Sequence, residues 1–339
     1  MNMEGKRKIN LDNLITVPSP HLYAKPSAQW VMLQVILALL FPLASGWYFF
    51  GFRVLIMVAV GITSSVLAEV SYQRVKKRKV TVNDLSAVVT GMLIALSLPS
   101  TAPLWTIIVG SLFAILIVKQ LPGGIGRNVF NPAVAARVML KAFFSPWITN
   151  WVLPGPDLIS TATPLEYIGH FSRTVPEEVP GLLDLFLGTN LGGPVGETSK
   201  IMILIGMVYL IARKIISPKL PLLYLFSLAA VATLYGDFSF EYMMTHVLSG
   251  TAIFAAVYMV TDYSSQPLTP DGKIVYACAA GILTGIIRIL FDFPGGVGFS
   301  ILIMNACGPL IDRHLAPRIY GHKQRVKNNK TAREKTMLK

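Results

Sequence analysis

The sequence is poor in charged residues for its length. Asp, Glu, Lys and Arg make up 14% of its 339 residues, against about 25% in soluble domains. Hydrophobic residues reach 53%, and the mean hydropathy is +0.58. So few charges cannot cover a compact core with hydrated side chains, and the apolar blocks are long enough to cross a bilayer core of about 30 Å. This composition excludes a soluble globular protein and predicts a membrane protein.

Cysteine and histidine are also scarce. The two cysteines, Cys278 and Cys307, lie in apolar blocks. An iron–sulfur cluster usually needs about four cysteine ligands, so this chain cannot hold one alone. We interpret both as reduced thiols packed as small hydrophobic groups; the alternative is that they join ligands from a partner. Of five scattered histidines, only His246 lies near an apolar block, which argues against haem. We predict no metal site and no catalytic side chain.

Acidic residues are outnumbered by basic ones, 17 to 30, which gives a formal net charge of +13. The basic residues do not form one continuous stripe. They occur in short clusters between apolar blocks, such as residues 6–8 and 74–79. This placement is typical of positive charge retained on the cytoplasmic side of a membrane, and we predict no nucleic-acid binding.

Matching the apolar blocks to the spanning length predicts an all-α polytopic membrane protein with about ten transmembrane helices. The predicted spans are residues 29–49, 53–71, 84–99, 103–119, 130–146, 199–213, 220–236, 244–261, 274–290 and 297–312.

The loop charges predict that both termini lie in the cytoplasm. Alternate loops are rich in Lys and Arg, whereas the loop 147–198 is acidic, with Arg173 as its basic exception. We therefore divide the chain into a cytoplasmic N-terminal segment (1–28), a first five-helix half (29–146), an extracytoplasmic loop (147–198), a second five-helix half (199–312) and a basic cytoplasmic tail (313–339).

The two halves share an internal repeat. Three pairs of segments match in order: 123–126 with 295–298, 131–133 with 305–307, and 88–91 with 247–250. Members of each pair lie five spans apart, so they cross the membrane in opposite directions. This is typical of an inverted 5+5 repeat, which places a binding site between its halves. The alternative is that glycine-rich turns recur by chance.

The predicted outer loop contains a hydroxyl-rich turn at residues 157–165, with the sequence DLISTATPL. Pro164 biases Thr163 toward an extended conformation, which presents the threonine side chain outward. Composition alone does not exclude the alternative that this turn is an ordinary polar loop.

This turn resembles the flavinylation motif of the family formed by Rnf D subunits and the B subunits of sodium-translocating NADH:quinone reductases. In that motif an aspartate precedes Ser-Gly-Ala-Thr, and the last threonine is esterified to the phosphate of FMN. Asp157, Ser160, Ala162 and Thr163 match in spacing, while Thr161 replaces the usual glycine. The resemblance implies covalent FMN at Thr163, with the competing hydroxyl of Thr161 as the less favoured alternative.

Four further segments, 123–133, 261–272, 294–300 and 304–313, resemble the same family. The resemblance implies that further flavin contacts come from Arg127, Asn128, Asn131, Gly250, Thr261 and Asp262. Other interpretations stay open. The glycine pairs could be helix-breaking turns, and Asn131 and Asn305 could satisfy backbone groups at helix starts. Asp262 could be a turn or capping residue.

Ionisable residues inside the predicted spans are few, and the main ones are Glu69, Arg137, Lys141 and Arg288. We expect Lys141 and Arg288 near outer helix ends, where they can snorkel or pair with a phosphate ester at Thr163. Arg137 lies deeper, and it is either a functional charge or half of a buried pair.

The resemblance implies a membrane subunit of a bacterial ion-translocating ferredoxin:NAD⁺ oxidoreductase in the cytoplasmic (inner) membrane. It would relay electrons through covalent FMN, coupled to Na⁺ or H⁺ transport, with a second, non-covalent flavin such as riboflavin between the halves. The implied partners are the A, B, C, E and G subunits of the Rnf complex, a flavin transferase and the lipid membrane. A quinone-reductase B subunit is the nearest alternative, disfavoured by the short N-terminal segment. A channel or secondary transporter would have no reason to carry the 157–163 motif.

Overall fold

A computed structural model describes residues 27–155, 159–169, 171–189, 191–291 and 296–315. Within these residues there is no β-strand, only one isolated antiparallel bridge between Val152 and Ser160. The all-α prediction is therefore confirmed for this part of the chain. The predictions for Asp157 and for most of both terminal segments fall outside the described residues.

The first half is a series of apolar helices. They are α1 (Ala28–Phe50), α2 (Arg53–Val75), α3 (Ser86–Leu96), α4 (Leu104–Leu112) and α5 (Pro132–Phe143). A 3-10 turn at Val82–Asp84 precedes α3, and α4 continues as a π-helix over Phe113–Gln120. Helix α1 begins where the Ser27 hydroxyl accepts a hydrogen bond from the Trp30 amide, which is a common way to satisfy a free N-terminal amide.

The predicted outer loop 147–198 is more structured than its polar composition indicated. The stretch around and within it contains α6 (Ser145–Ile148), α7 (Pro164–Ile168), α8 (Leu182–Leu187) and a 3-10 turn at Val195–Glu197. Val195, Gly196 and Glu197 are buried, and Leu185 is fully buried. Part of the loop therefore packs into the helix bundle, because several of its apolar residues, including Leu165, Leu185 and Val195, join the buried core.

The second half contains α9 (Lys200–Ala212), α10 (Lys219–Tyr235), α11 (Phe240–Leu248), α12 (Ala252–Tyr258), α13 (Pro270–Leu290) and α14 (Val297–His314). The prediction of one continuous helix over 244–261 is wrong. Gly250 adopts φ +61° between α11 and α12 and breaks the helix there, a conformation that glycine reaches without the cost of a Cβ atom.

Among the described residues, three helices, α1, α2 and α13, are long and apolar enough to cross a membrane by length and composition. The shorter apolar helices include residues 86–96, 104–120, 200–212 and 219–235. Each of the ten predicted spans contains a helix, but several are only 7 to 13 residues long. The count of ten complete spans therefore stays a prediction.

Close helix packing depends on glycine where α2 crosses α3. A Cβ atom added at Gly61 would lie 2.6 Å from the carbonyl oxygen of Gly91, and one added at Gly91 would collide with Gly61 in return. Gly91 is therefore a packing residue, whereas its repeat partner Gly250 breaks a helix. This pair of the proposed repeat matches in sequence without matching in local structure.

Candidate functional site

Two cavities lie between the halves of the bundle. The first, named here the Asp262 cavity, is lined by residues that include Ser86, Lys119, Asn128, Asn131, Thr261 and Asp262. The second, named the Thr163 cavity, is lined by residues that include Arg137, Lys141, Trp151, Thr163, Glu197 and Gly250. Most of the predicted flavin contacts thus line one cavity or the other. The sequence alone did not indicate that these residues divide between two cavities.

The two cavities lie at opposite ends of the same helices. At the start of α5, Asn131 and Pro132 line the Asp262 cavity, and near its end Lys141 lines the Thr163 cavity. The nine helical steps from Pro132 to Lys141 span about 14 Å. Helix α3 runs in the same direction, whereas α12 leads from Thr251 at the Thr163 cavity back to Tyr258 at the Asp262 cavity.

In the Asp262 cavity, Asn131 and Asp262 hold two chain segments together. The Asn131 Oδ1 atom accepts hydrogen bonds from the amides of Ala133 and Val134, which starts α5, and its Nδ2 donates to Asp262 Oδ2 at 3.1 Å. The capping role considered for Asn131 is therefore confirmed. Burial raises the pKa of the Asp262 carboxyl, while hydrogen bonds from Ser264 act in the opposite direction.

Asn305 does not cap the start of its own helix. It lies two turns inside α14 rather than at a helix start, so it is not the structural equivalent of Asn131. It is buried, and its side-chain amide lies 2.6 Å from the Tyr276 hydroxyl. In the amide orientation that satisfies both of its polar atoms, its oxygen accepts from the backbone N–H of Asn131 at 2.9 Å. Asn305 therefore supports the wall of the Asp262 cavity from behind.

Lys119 is a cavity residue that the sequence did not reveal as one. Positive charge near the end of a span indicated a cytoplasmic lysine, but its side chain is 3% exposed. Its Nζ donates to both carboxylate oxygens of Glu69, at 2.8 and 2.9 Å, and to Ser86 Oγ at 2.6 Å. The π-helical turn brings Gln120 to the same carboxylate, at 2.6 Å. Such turns are frequent at functional sites.

In the Thr163 cavity, Thr163 stands at the N-terminal end of α7. Its backbone N–H donates to Glu166 Oε2 at 2.8 Å, and Pro164 occupies the first helical position, where no amide is needed. Across the cavity, Arg137 donates to Glu197 Oε1 at 2.7 Å. Arg137 is therefore part of an ion pair, and this pair lines the cavity. Its partner, Glu197, belongs to the predicted outer loop.

Thr161 and Thr163 face different spaces. The Thr161 hydroxyl lies 3.2 Å from the Tyr167 hydroxyl, and its methyl group packs against Gly192. Thr161 lines a separate cavity together with Ala162 and Gly192. The two candidate hydroxyls are therefore separated by geometry, because only Thr163 lines the cavity that holds Arg137 and Lys141.

Arg288 does not snorkel to the membrane surface. It is 4% exposed, and its guanidinium donates to the backbone carbonyls of His246 at 2.6 Å and Ser249 at 3.2 Å. These carbonyls lose their helical partners where Gly250 breaks the chain between α11 and α12. The prediction of a snorkelling side chain is wrong because the broken helix offers acceptors inside the bundle.

The remaining predicted contacts that the structure describes do not line either cavity. Arg127 is exposed in the glycine-rich turn and packs beside Gly123. Ser160 is exposed, with its hydroxyl 3.4 Å from Asn150 Oδ1. Cys278 and Cys307 are free and partly buried, as expected for reduced thiols. No cluster of three or more potential metal ligands occurs among the described residues, and the predicted flavin contacts stay predictions.

Apolar helices around two cavities lined by apolar and polar side chains define the class, a helical membrane protein. Comparison with known families narrows this class. The family described as NQR2, RnfD, RnfE matches residues 15–321, and the chain belongs to this family.

Individual relatives agree with this family. The chain is 44% identical over 311 residues to the D subunit of the Na⁺-translocating ferredoxin:NAD⁺ oxidoreductase complex of Acetobacterium woodii, covering 91% of this chain and 96% of the relative. It is 34% identical over 321 residues to the proton-translocating counterpart of Clostridium ljungdahlii, covering 91% and 97%. It is also 34% identical over 344 residues to the D subunit of an ion-translocating oxidoreductase complex of Yersinia enterocolitica, covering 90% and 98%.

Proposed function

We propose that this chain is the D-type membrane subunit of an Rnf-type ion-translocating ferredoxin:NAD⁺ oxidoreductase, with FMN joined through its phosphate to the hydroxyl of Thr163. The main observation that supports this proposal is that Thr163 lines a cavity together with two basic side chains, Arg137 and Lys141. The names of the relatives support the type of complex, and they include one sodium-translocating and one proton-translocating example. The proposal therefore covers electron transfer coupled to either ion.

The Thr163 cavity fits a flavin phosphate by its chemistry. Basic groups suit the phosphoryl oxygens, and Trp151 and Phe299 supply aromatic surface in the same cavity. A bound flavin would supply an acceptor that exchanges one or two electrons. The chain's own contribution is to fix Thr163 at the start of α7, to surround the attached group with protein, and to place positive charge beside it.

The Asp262 cavity fits the second, non-covalent flavin. Its walls combine apolar side chains, such as Val35, Val89 and Leu93, with polar groups at Asn128 and Asp262. A flat, apolar ring with a hydrogen-bonding edge needs this mixture of surfaces. With both cavities occupied, the shared helices would hold two redox groups toward opposite ends of the bundle.

The helix directions support an inverted arrangement with both termini on one side. Met32 near the start of α1 and Leu210 near the end of α9 both line the Asp262 cavity. Asp312, near the end of α14, binds the backbone amides of Leu268 and Thr269 in the loop that follows Asp262. Both ends of the described chain therefore lie toward this cavity, which we assign to the cytoplasmic side of the bacterial inner membrane.

As a subunit that relays electrons, the chain would not act alone. The proposed partners are the A, B, C, E and G subunits of the Rnf complex, and a flavin transferase that modifies Thr163 during maturation. With the predicted orientation, Thr163 would meet that transferase on the extracytoplasmic side.

Flavin attachment is tested by producing the chain together with a flavin transferase and viewing a denaturing gel for flavin fluorescence. We expect fluorescent bands for the wild type, Thr161→Ala and Thr161→Gly, and no fluorescence for Thr163→Ala. Peptide mass mapping should place the added FMN on Thr163. Fluorescence retained by Thr163→Ala would refute the attachment.

The second flavin is tested separately in the Thr163→Ala background. Acid denaturation should release free flavin from this variant, and Val89→Phe, which fills the Asp262 cavity, should lose it. Trp147→Phe, at an exposed residue, serves as the control and should keep it. Release of equal amounts from all three proteins would contradict a site in this cavity.

A further inference from the structure

A further cavity, named here the Arg53 cavity, lies where the turns of the first four helices meet the outer loop. Its described lining is residues 48–51, Arg53, Ser100, Thr101 and Gly155. Ser97 and Leu98, at the start of the same α3–α4 turn, line the Thr163 cavity, so both cavities lie at one end of the bundle. The Arg53 cavity measures about 630 Å³, within the range of about 300–1,000 Å³ that holds small ligands.

Three hydrogen bonds between chain segments hold this cavity open. An Nη atom of Arg53 donates to the carbonyl oxygen of Ala102 at 3.1 Å and ties the α1–α2 turn to the α3–α4 turn. Thr101 Oγ1 donates to the carbonyl oxygen of Asn150 in the outer loop at 2.6 Å. The Gly155 N–H donates back to a carbonyl near the end of α1 at 3.3 Å. Because this ring of bonds already orders the loops, a ligand would not have to do so.

Two polar side chains in the lining have hydrogen-bonding capacity to spare. Ser100 is 3% exposed, and its hydroxyl has no hydrogen-bond partner among the described residues. Arg53 makes one side-chain hydrogen bond within the described chain, although a guanidinium carries several donors in a fixed plane. The described lining contains no acidic side chain. The cavity therefore offers a positive charge and a buried hydroxyl to a group that accepts hydrogen bonds.

Aromatic side chains surround these polar groups. Tyr48, Phe49 and Phe50 line the cavity, and Trp47 and Phe52 beside them are exposed. Aromatic residues collect at the level of the lipid headgroups, whereas basic residues concentrate on the cytoplasmic side. An arginine among aromatic residues at the opposite end of the bundle is therefore placed to meet a negatively charged headgroup.

We propose that the Arg53 cavity binds the headgroup of an anionic phospholipid, with Arg53 and Ser100 donating to its phosphoryl oxygens. Arginine suits phosphate because its charge is permanent and its donors are fixed in one plane. A lipid fits better than free phosphate because its acyl chains can continue along the apolar exterior of α1 and α2, where Leu40 and Ile56 are exposed. The inference is independent of the flavin, and only its assignment to the outer leaflet rests on the proposed orientation.

The test counts the lipids bound to the full chain by native mass spectrometry, after purification in detergent and removal of lipid. The probes are phosphatidylglycerol, which is anionic, and phosphatidylcholine, whose choline group neutralises the phosphate, with identical acyl chains. We expect the wild type to bind at least one phosphatidylglycerol about tenfold more tightly than phosphatidylcholine, because hydrogen bonds between opposite charges are the stronger ones. Equal affinity for the two lipids would overturn the proposal.

Substitutions locate the bound lipid. Arg53→Gln, whose amide can still donate to Ala102, should lose one tightly bound phosphatidylglycerol, and Arg53→Lys, which keeps the charge, should retain it with lower affinity. Ser100→Ala should weaken the binding of this molecule severalfold. Arg173→Gln, which removes an exposed charge from the outer loop, is the matched control and should keep the lipid. An equal loss in Arg173→Gln, or no loss in Arg53→Gln, would show that the lipid does not bind in this cavity.

Inorganic phosphate and one further variant separate the rival explanations. Excess inorganic phosphate should displace little of the bound lipid, because the acyl chains add apolar contact, and complete displacement would overturn the choice of a lipid. Asp157 follows Gly155 by two positions in the sequence and lies outside the described residues. If its carboxylate neutralised Arg53, only Asp157→Asn would prefer phosphatidylglycerol, and that result would refute the site. We expect the same preference in the wild type and in Asp157→Asn.

Discussion

Lys119 Nζ lies 2.8 Å from Glu69 Oε1 at a point where both side chains are buried, 3% and 1% exposed. The pair joins α2 to the π-helical end of α4 and lies beside the Asp262 cavity. Within a bundle that crosses a membrane, each charge is tolerable only because the other neutralises it.

We expect Lys119→Met to lower the free energy of unfolding by about 3–5 kcal/mol, because it leaves the Glu69 carboxylate buried without its counter-ion. The double variant Lys119→Met with Glu69→Leu should recover much of that loss. Unfolding of the detergent-solubilised chain by denaturant measures both. Arg173→Met is the matched control, since its pair with Asp237 is exposed and should contribute less than about 1 kcal/mol. Equal losses in the single and double variants would contradict the pairing.

Packing between α2 and α3 gives a second expectation. Gly61→Ala and Gly91→Ala each place a methyl group against the backbone of the other helix, and we expect a loss of about 1–3 kcal/mol from this overpacking. Gly308→Ala in α14 is the control, since no atom lies within 4 Å of the added methyl and alanine favours a helix. Thermal midpoints of the three purified variants measure the loss of stability in each. A loss for Gly308→Ala equal to the others would show a general intolerance of glycine substitution.

The sequence predicted helix positions well because long apolar runs reflect the constraint of the bilayer directly. Prediction from the sequence failed where contacts between distant residues determine the local structure. Gly250 breaks the helix inside the predicted span 244–261, and Arg288 is held inward by carbonyls that this break exposes. The motif indicated Thr163, but its neighbours Arg137 and Glu197 are 60 residues apart. No spacing rule could have brought that pair to the same cavity.

The predicted orientation makes labelling patterns different on the two membrane faces. In a background with Cys278→Ala and Cys307→Ala, we introduce Lys76→Cys or Leu183→Cys, both at exposed positions. In intact cells, a membrane-impermeant maleimide should label Cys at 183 and should label Cys at 76 only after the membrane is opened. The opposite pattern would reverse the topology, and labelling of both in intact cells would contradict a membrane between them.

The raised pKa of Asp262 determines how the stability of the folded chain should change with pH. Burial raises its pKa in the folded chain, so the stabilisation from its protonated form is present below the unfolded pKa of about 3.9. It is lost as pH rises through the higher folded pKa. Relative to Asp262→Asn, which does not titrate, the wild type should therefore gain stability as pH falls from 7.5 toward 4. Thermal midpoints across this range measure the difference, and a constant difference would contradict the raised pKa.

Gly250 should be more important for flavin attachment than for folding. A Cβ atom there would lie 3.1 Å from Leu165 Cδ1 and 3.3 Å from Arg288 Nη2, with the backbone at φ +61°. We expect Gly250→Ala to cost about 1–2 kcal/mol from the left-handed backbone and, by pushing α7 outward, to reduce flavinylation of Thr163 severalfold. In-gel fluorescence per folded chain measures this. Gly193→Ala, which meets no atom within 4 Å, is the control. Full flavinylation of a folded Gly250→Ala chain would show that the broken helix does not position Thr163.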